Sequence, residues 1–183
     1  GINQGEGDHL FHLSSRIPER PMEFMNDPVS LKERPLATEV QEKVNILLVD
    51  DHPENLLALE AVLEEPHYHL IKANSGKEAL KWLLDEEAAV ILLDVHMPVL
   101  DGFETASLIK EREKTRHIPI IFLTAVNKAD RYVFKGYTVG AVDYILKPFD
   151  ADILKSKVKV FVDLYVKTMQ LKIREALLRQ SEK

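Results

Sequence analysis

Between residues 43 and 150, short aliphatic runs alternate with segments in which apolar residues recur at helical spacing. Runs that are rich in Val, Ile and Leu and bounded by polar residues are typical of parallel strands buried on both faces of a sheet. The predicted strands cover residues 44–49, 68–73, 88–93, 118–123 and 141–146. This alternation predicts an α/β protein with a doubly wound, five-stranded parallel sheet.

Each predicted strand is followed by a predicted helix. The first helix starts at Pro53, because proline is well tolerated in the first turn. The second follows Gly76, the third covers 102–113, and the fourth covers 128–139. The side chains expected to face the sheet are Leu56, Leu57, Leu59 and Leu63 in the first helix and Phe103, Ala106, Leu108 and Ile109 in the third.

Four of the predicted strands end at residues with chemically useful side chains. Asp50 and Asp51 follow the first strand, Asp94 the third, Thr124 the fourth and Lys147 the fifth. The carboxyl ends of parallel strands meet at one edge of the sheet, where ligands of open α/β folds bind. Three converging carboxylates repel one another unless a hard cation such as Mg²⁺ lies between them. The pattern therefore predicts a site that handles phosphoryl groups.

Four segments around these residues resemble the receiver domain of two-component response regulators, including the chemotaxis regulators. They are Leu-Leu-Val-Asp-Asp at 47–51, Leu-Asp-Val-His-Met-Pro-Val-Leu-Asp-Gly at 93–102, Leu-Thr-Ala at 123–125 and Asp-Tyr-Ile-Leu-Lys-Pro-Phe at 143–149. The resemblance extends over about residues 43 to 160. It implies the flavodoxin-like strand order 2-1-3-4-5. The parent protein would be a hybrid sensor kinase, a multidomain regulator or a single-domain protein.

The resemblance also implies a Mg²⁺-dependent reaction at Asp94. This residue lies at the position of the family's phosphoacceptor and would take a phosphoryl group from a histidine kinase or a phosphotransfer protein. Asp50 and Asp51 would hold Mg²⁺ together with Asp94 and the backbone carbonyl of His96. Lys147 would pair first with Asp94 and later with a phosphoryl oxygen.

Further positions match residues that transmit or time the signal in this family. Thr124 would donate its hydroxyl to the phosphoryl group, although a helix N-cap is the alternative role for this residue. Tyr144 matches the switch aromatic residue, and an ordinary half-buried strand tyrosine is the alternative. His96 and Val126 match positions that tune the lifetime of the phosphoryl group. Asp101 is expected to cap the third helix.

A second class of protein, the haloacid-dehalogenase-type phosphatases, also forms an aspartyl phosphate. That family places a second Asp two residues after the nucleophile, whereas His96 occupies the position here. It also needs a domain that covers the substrate, and the chain has no insertion long enough for one. We therefore expect a phosphorylatable switch that controls a downstream effector domain or protein, not an enzyme. Any kinase activity would reside in another domain.

The composition bears on where in the cell this switch works and on what it contacts. The 183-residue chain is 45% hydrophobic and lacks cysteine, which fits a globular protein of the reducing cytoplasm. No apolar stretch approaches the roughly 20 residues of a membrane span, so no membrane contact is expected. Residues 151–183 carry 8 basic and 4 acidic side chains, net +4, but they are spread along a helical pattern. Direct nucleic-acid binding is therefore not expected.

The histidines at 52, 67, 69 and 117 lack zinc-site spacing and are interpreted as surface residues.

Three parts are expected along the chain. Residues 1–42 contain four prolines and three glycines without a sustained apolar period, as in a linker or a tag remnant. Residues 43–160 would form the receiver domain. Residues 161–183 would extend its last helix, because this stretch has neither Pro nor Gly.

The extended helix carries a seven-residue repeat. Leu164, Leu171 and Leu178 recur at this spacing, and we expect a neighbouring stripe of apolar residues beside them. Its members are Val166, Met169, Ile173 and Ala176. The repeat predicts a short coiled coil and a homodimer through the C-terminal helix. A lone amphipathic helix is the alternative.

Overall fold

The computed structural model of the chain describes residues 43–125 and 143–181. Its strands are β1 (Val44–Val49), β2 (Tyr68–Ala73), β3 (Val90–Asp94), β4 (Ile120–Ala125) and β5 (Asp143–Lys147). They form one parallel sheet in the order β2-β1-β3-β4-β5. The helices of the described part are α1 (Pro53–Leu63), α2 (Gly76–Trp82), α3 (Gly102–Glu111) and α4 (Ala151–Ser181). The predicted doubly wound sheet, its strand order and the extended C-terminal helix are confirmed.

Two predicted segments lie outside the described residues. The helix predicted at 128–139 and the linker predicted at 1–42 are among the positions that the structure does not describe. Within the described part, no helix is both long enough and apolar enough to cross a membrane.

Two hydrophobic clusters fill the two sides of the sheet. Successive strand residues point to opposite faces, so Leu47 and Leu93 join one cluster while Leu48 and Leu92 join the other. The first cluster packs under α2 and α3, and the second packs under α1 and α4. Because β1, β3 and β4 are covered on both faces, their sequences are mainly apolar, without a regular polar alternation.

The carboxyl ends of the strands lie side by side. Asp94 is the last residue of β3, and its Cα pairs with that of Leu123. Thr124 is the penultimate residue of β4, and Lys147 is the last residue of β5. Ala125 pairs with Lys147 in the register of these two strands. The fold therefore places the predicted site residues along one edge of the sheet.

The start of α3 fixes the loop that follows Asp94. The carboxylate of Asp101 accepts a hydrogen bond from the backbone N–H of Glu104, and Glu104 Oε2 accepts one from the N–H of Asp101. This capping box confirms the predicted cap. A Cβ on Gly102 would lie 2.2 Å from the carbonyl oxygen of Asp94. Only glycine permits this close approach between α3 and the end of β3.

Two leucines that were expected to face the sheet point to solvent. Leu57 is 59% exposed and Leu108 is 37% exposed. In α1 the buried leucines are Leu56, Leu59 and Leu63, which are spaced three and four residues apart on one side of the helix. Leu57 is only one residue from Leu56 but about 100° further around the helix, so its prediction was wrong.

The last helix, α4, continues far past the sheet. Its 31 residues span about 46 Å at 1.5 Å per residue. Leu154, Val158 and Val162 are buried against the sheet, whereas every residue from 171 to 181 is exposed. This geometry agrees with a helix longer than the domain requires.

Two apolar stripes run along opposite sides of α4. The inner stripe consists of Val158, Val162, Val166, Met169, Ile173 and Ala176, and it begins at the sheet. The outer stripe consists of Ile153, Val160, Leu164, Leu171 and Leu178, all exposed. Leu171 and Ile173 are two residues apart, which is about 200° around a helix. The interpretation of the two sets as neighbouring stripes was therefore wrong.

Candidate functional site

The site centres on an ammonium group between two buried carboxylates. Lys147 Nζ donates a 2.7 Å hydrogen bond to Oδ1 of Asp94 and a 2.9 Å hydrogen bond to Oδ2 of Asp50. Asp50 is fully buried and the side chain of Asp94 is 6% exposed. Asp50 directly follows β1, Asp94 is the last residue of β3, and Lys147 is the last residue of β5. The structure thus brings together an acid, a second acid and a lysine that the sequence analysis placed at strand ends.

The two carboxylates differ in their protonation behaviour. Burial tends to raise the pKa of Asp50, but hydrogen bonds from the His52 backbone, Lys147 and Asn55 together lower it below its ordinary value. For Asp94, burial is the largest effect and raises the pKa, although Lys147 opposes it. Titratable groups whose environments separate their pKa values in this way are typical of functional sites.

Lys147 remains charged in this environment. Burial lowers its pKa, but the hydrogen bonds and negative charges of Asp94 and Asp50 outweigh that effect and raise it above the ordinary value. A buried ammonium between two carboxylates stabilises both of them.

One carboxylate oxygen of Asp51, Oδ1, is buried and accepts no hydrogen bond from the described residues. The imidazole Nδ1 of His52 lies 3.1 Å away but without hydrogen-bond geometry. An unsatisfied buried carboxylate oxygen is costly, and a cation beside it would remove that cost. The residues therefore fit a Mg²⁺ ion, which prefers oxygen ligands.

The residues whose side-chain atoms lie close enough together to bind one metal ion differ from the predicted Mg²⁺ ligands. In the described part of the chain, they come from Asp50, Asp51 and His52, within 4.8 Å of one another. Asp94, the third predicted carboxylate ligand, is instead tied to Lys147. His52, which was interpreted as a surface residue, is 56% exposed but lies at the rim of this group.

Thr124 and His96 lie near the same edge of the sheet, at and after the ends of β4 and β3, whereas Tyr144 lies near the start of β5. Thr124 is buried, and its hydroxyl donates a 3.1 Å hydrogen bond to the carbonyl of Ala125. Tyr144 on β5 is 44% exposed. His96 is exposed, and its charge tends to lower the pKa of Asp94. Val126 lies outside the described residues.

One residue that holds the site was missed at the level of sequence. Asn55 Nδ2 lies 3.1 Å from Oδ1 and 3.0 Å from Oδ2 of Asp50. The backbone N–H of His52 donates a further 2.9 Å hydrogen bond to Asp50. Together with Lys147 Nζ, three donor groups thus orient the Asp50 carboxylate. The available signal was an amide residue in the first turn of the helix that follows an acidic pair.

The profile of the response regulator receiver domain family matches residues 46–159. The chain therefore belongs to this family, the receiver domains of two-component signalling. Receiver domains are phosphorylatable switches that bind Mg²⁺ in an acidic pocket. The phosphatase alternative finds no support in this match.

Curated relatives and solved structures agree with the family. A "probable cyclic di-GMP phosphodiesterase" of Vibrio cholerae is 39% identical over 124 residues, which cover 67% of this chain and 27% of the relative. The response regulator PleD of Caulobacter vibrioides is 36% identical over 132 residues, 72% of this chain and 29% of PleD. The chain thus spans less than a third of the length of these relatives.

A solved receiver domain of a Pseudomonas aeruginosa sensor histidine kinase has a magnesium ion coordinated in its active-site cleft. It is 32% identical to this chain, with a TM-score of 0.60, and the match covers 66% of this chain and 98% of that domain.

Proposed function

We propose that Asp94 is the phosphoacceptor of this receiver domain and takes its phosphoryl group from a phosphohistidine. The observation that carries the proposal is the 2.7 Å hydrogen bond between Lys147 Nζ and Asp94 Oδ1, at the end of β3 and beside the acidic pocket. The donor would be a histidine kinase or a phosphotransfer protein. Asp94 is the buried carboxylate whose position in the chain matches the family's acceptor.

In the proposed reaction, a carboxylate oxygen of Asp94 attacks phosphorus. An oxygen–phosphorus bond forms while the nitrogen–phosphorus bond of the phosphohistidine breaks, and the imidazole leaves. Asp50 and Asp51 would hold Mg²⁺ together with Asp94 and the backbone carbonyl of His96. Bound there, the cation would neutralise charge on the phosphoryl oxygens. Lys147 would keep Asp94 oriented before transfer and then bind a phosphoryl oxygen.

The switch would begin at Thr124. Among the described residues its hydroxyl donates to the neighbouring carbonyl of Ala125, a hydrogen bond worth about 1 kcal/mol. A charged phosphoryl oxygen is a stronger acceptor, so we expect the hydroxyl to turn towards it after transfer. Tyr144, two strands from Asp94 and half-exposed, would then move inward and change the surface that a partner contacts. His96 and Val126 would set the lifetime of this state.

The output of the switch lies outside this receiver. We propose that residues 43–160 form the receiver and that residues 161–183 connect it to a downstream effector domain or protein in the cytoplasm. In this scheme the chain itself turns over no substrate and contacts neither nucleic acid nor membrane. The short span of the matches to curated relatives, 27% and 29% of their lengths, supports an effector elsewhere in a longer protein.

We further propose that the chain forms a homodimer through α4. The exposed leucines at 164, 171 and 178 would be covered by the same helix of a second copy. Burial of each leucine contributes about 1.5–3 kcal/mol, which allows a dimer at micromolar concentration after the entropy of association is subtracted.

The acceptor assignment is tested with a small phosphodonor. Incubation with acetyl phosphate and Mg²⁺ should add one phosphoryl group, stable in mild acid and labile to hydroxylamine, as intact-protein mass spectrometry would record. Asp94→Asn should abolish the modification, because an amide is a poor nucleophile. The matched control is Asp85→Asn, an exposed residue in the turn after α2, which should be modified normally. Full modification of Asp94→Asn would refute the assignment.

A further inference from the structure

The acidic pocket offers a nitrogen atom to a metal ion as well as oxygens. Asp50, Asp51 and His52 are consecutive in the chain, and one potential ligand atom from each lies within 4.8 Å of the others. Nδ1 of His52 lies 3.1 Å from Oδ1 of Asp51 and 3.4 Å from Oδ1 of Asp50. The phosphotransfer proposed above does not use this imidazole.

The backbone holds the His52 ring beside the two acids. His52 is the N-cap of α1 and has extended backbone angles, φ −98° and ψ 110°, which the following Pro53 favours. Its N–H donates a 2.9 Å hydrogen bond to Oδ1 of Asp50. The side chain forms no capping hydrogen bond with the helix and is 56% exposed. The helix therefore does not use the ring, which is accessible from solvent.

The distances around His52 fit the ligands of one metal ion. Bonds from a divalent transition metal to a carboxylate oxygen or an imidazole nitrogen are about 2.0–2.2 Å long. Neighbouring ligand atoms are then about 3.0 Å apart in octahedral coordination and about 3.4 Å apart in tetrahedral coordination. The two distances from Nδ1 of His52 fall in this range. Oδ1 of Asp51 accepts no hydrogen bond from the described residues, so the nitrogen and this oxygen lie side by side without acting as donor and acceptor.

An ion pair is the alternative role for His52. The negative charge of Asp51 is the largest effect on this histidine and raises its pKa, which favours an imidazolium. An imidazolium would repel any cation in the pocket, whereas a neutral imidazole would bind one. The two roles therefore predict opposite effects on metal binding when the ring is removed.

A nitrogen ligand separates metal ions by class. Mg²⁺ prefers oxygen ligands and keeps several waters when it binds a protein, so an imidazole adds little to its affinity. Imidazole suits nickel, copper and zinc ions much better. A histidine beside two carboxylates therefore raises the affinity for these ions selectively.

We propose that Nδ1 of His52 is a metal ligand, and that with Asp50 and Asp51 it makes this pocket a site for Ni²⁺, Zn²⁺ and related transition-metal ions as well as for Mg²⁺. The inference rests on the acidic pocket being the metal site, as proposed above, and adds a ligand and a class of ion. Because the three residues are consecutive, such an ion does not require Asp94, which keeps its 2.7 Å hydrogen bond to Lys147.

The test measures the affinity of the full chain for Ni²⁺ and for Mg²⁺ with and without the ring. Isothermal calorimetry gives the Kd of Mg²⁺ directly. It gives the Kd of Ni²⁺ from the binding that excess Mg²⁺ displaces, which leaves out histidines elsewhere in the chain. His52→Ala should raise the Kd of Ni²⁺ at least about tenfold and leave that of Mg²⁺ unchanged.

The matched control is His117→Ala. His117 is 54% exposed, against 56% for His52, and its Nε2 lies 2.8 Å from the carboxylate of Glu87. This second histidine–carboxylate pair precedes β3 and β4, at the opposite edge of the sheet from the pocket. Its removal should leave the Kd of both metals unchanged.

The other outcomes overturn the inference in distinguishable ways. Tighter binding of both metals by His52→Ala would identify the ring as the imidazolium of an ion pair. An equal loss for both metals would mean that the ring supports the pocket without acting as a nitrogen ligand, and an unchanged Kd for Ni²⁺ would exclude ligation.

Asp51→Asn checks the pocket itself and should raise the Kd of both metals. If it does so while His52→Ala changes neither, only the inference about His52 fails. If Asp51→Asn changes neither, the proposed metal site fails and the inference fails with it. Acetyl phosphate labelling of the same variants reports on Asp94 separately.

Discussion

Lys147 Nζ lies 2.7 Å from the Asp94 carboxylate although the two residues are on strands separated by β4. Neighbouring strands are about 4.8 Å apart, so the side chains of Lys147 and Asp94 together bridge roughly two strand spacings. Most of that reach comes from the long lysine side chain. The contact explains why a lysine at the end of β5 serves an acid at the end of β3, and it makes Lys147 the most informative residue to remove.

Lys147→Ala should destabilise the metal-free protein by about 3 kcal/mol, because it leaves Asp50 and Asp94 buried without their cation. Urea unfolding in the presence of a chelator measures the change. Mg²⁺ affinity should stay the same or increase, since a competing positive charge is gone. The matched control is Lys72→Ala, which breaks an exposed 2.6 Å pair with Glu60 and should cost less than about 1 kcal/mol. Equal losses in the two variants would contradict the central role of Lys147.

Asp51→Asn should weaken Mg²⁺ binding roughly tenfold or more, because it removes one formal charge from a hard-cation site. Stability without metal should change little or improve, since the buried Oδ1 has no hydrogen-bond donor among the described residues. Isothermal calorimetry measures the affinity. Asp85→Asn serves again as the exposed control and should bind Mg²⁺ like the wild type. A wild-type affinity in Asp51→Asn would show that Asp51 is not a ligand.

Much of the fold follows from local pattern. The bounds predicted for the first two strands agree with β1 and β2, and the acids and the lysine at strand ends do meet. Strands buried on both faces leave aliphatic runs that are easily recognised, and parallel topology brings their carboxyl ends together. The meeting of Asp50, Asp94 and Lys147 was therefore predictable.

Side-chain partners inside the site were less predictable. That Asn55 holds Asp50, and that His52 lies beside Asp51, depends on the turn between β1 and α1. A hydrogen-bond partner is chosen by the direction of a side chain, which spacing along the chain does not give. The two stripes of α4 are a different case. Their opposite phase follows from 3.6 residues per turn, so Leu171 and Ile173 could have been separated from the sequence.

The loop after Asp94 stores strain at Val99. Its φ of 69° is in the left-handed region, and its side chain is fully exposed. This conformation costs an L-residue about 1–2 kcal/mol. Because the valine side chain is exposed, it gains no burial energy that would offset this cost. Val99→Gly should raise the free energy of unfolding by about 1 kcal/mol after the entropy of the unfolded glycine is allowed for. Val99→Ile, which keeps the branch, should match the wild type. A loss of stability in Val99→Gly would contradict the strained conformation.

The lifetime of the phosphoryl group is expected to depend on residue 126. Valine at this position cannot hydrogen-bond an attacking water, so self-dephosphorylation should be slow compared with a receiver that has an acid or an amide there. Val126→Glu should shorten the lifetime, measured by loss of label after the phosphodonor is removed. Val126→Ile is the control and should leave the lifetime unchanged. If Val126→Glu also leaves it unchanged, His96 or access to the site controls the rate.

Because the pKa of Asp94 is raised, replacing this residue should increase the free energy of unfolding by an amount that depends on pH. Above that pKa the carboxylate is ionised in both the folded and the unfolded states. The charge is buried only in the folded state, which is therefore destabilised relative to the unfolded state. As the pH falls through the folded pKa, the folded state binds a proton first, so its disadvantage shrinks. It vanishes below the unfolded pKa of about 3.9. Without metal, Asp94→Asn should therefore be more stable than the wild type at pH 7, and the difference should narrow as the pH falls towards 4.

Urea unfolding in chelator at several pH values measures this difference. Asp50 has a lowered pKa, and its stabilising effect is lost as the pH falls through that lower value. Because Asp50 is present in both proteins, its effect cancels to first order in the comparison. Asp85→Asn, at an exposed site, should show no difference from the wild type at any pH. If Asp94→Asn is less stable than the wild type at pH 7, the pairing with Lys147 outweighs the burial of the Asp94 charge, and the carboxylate that carries the proposed chemistry would also hold the fold together.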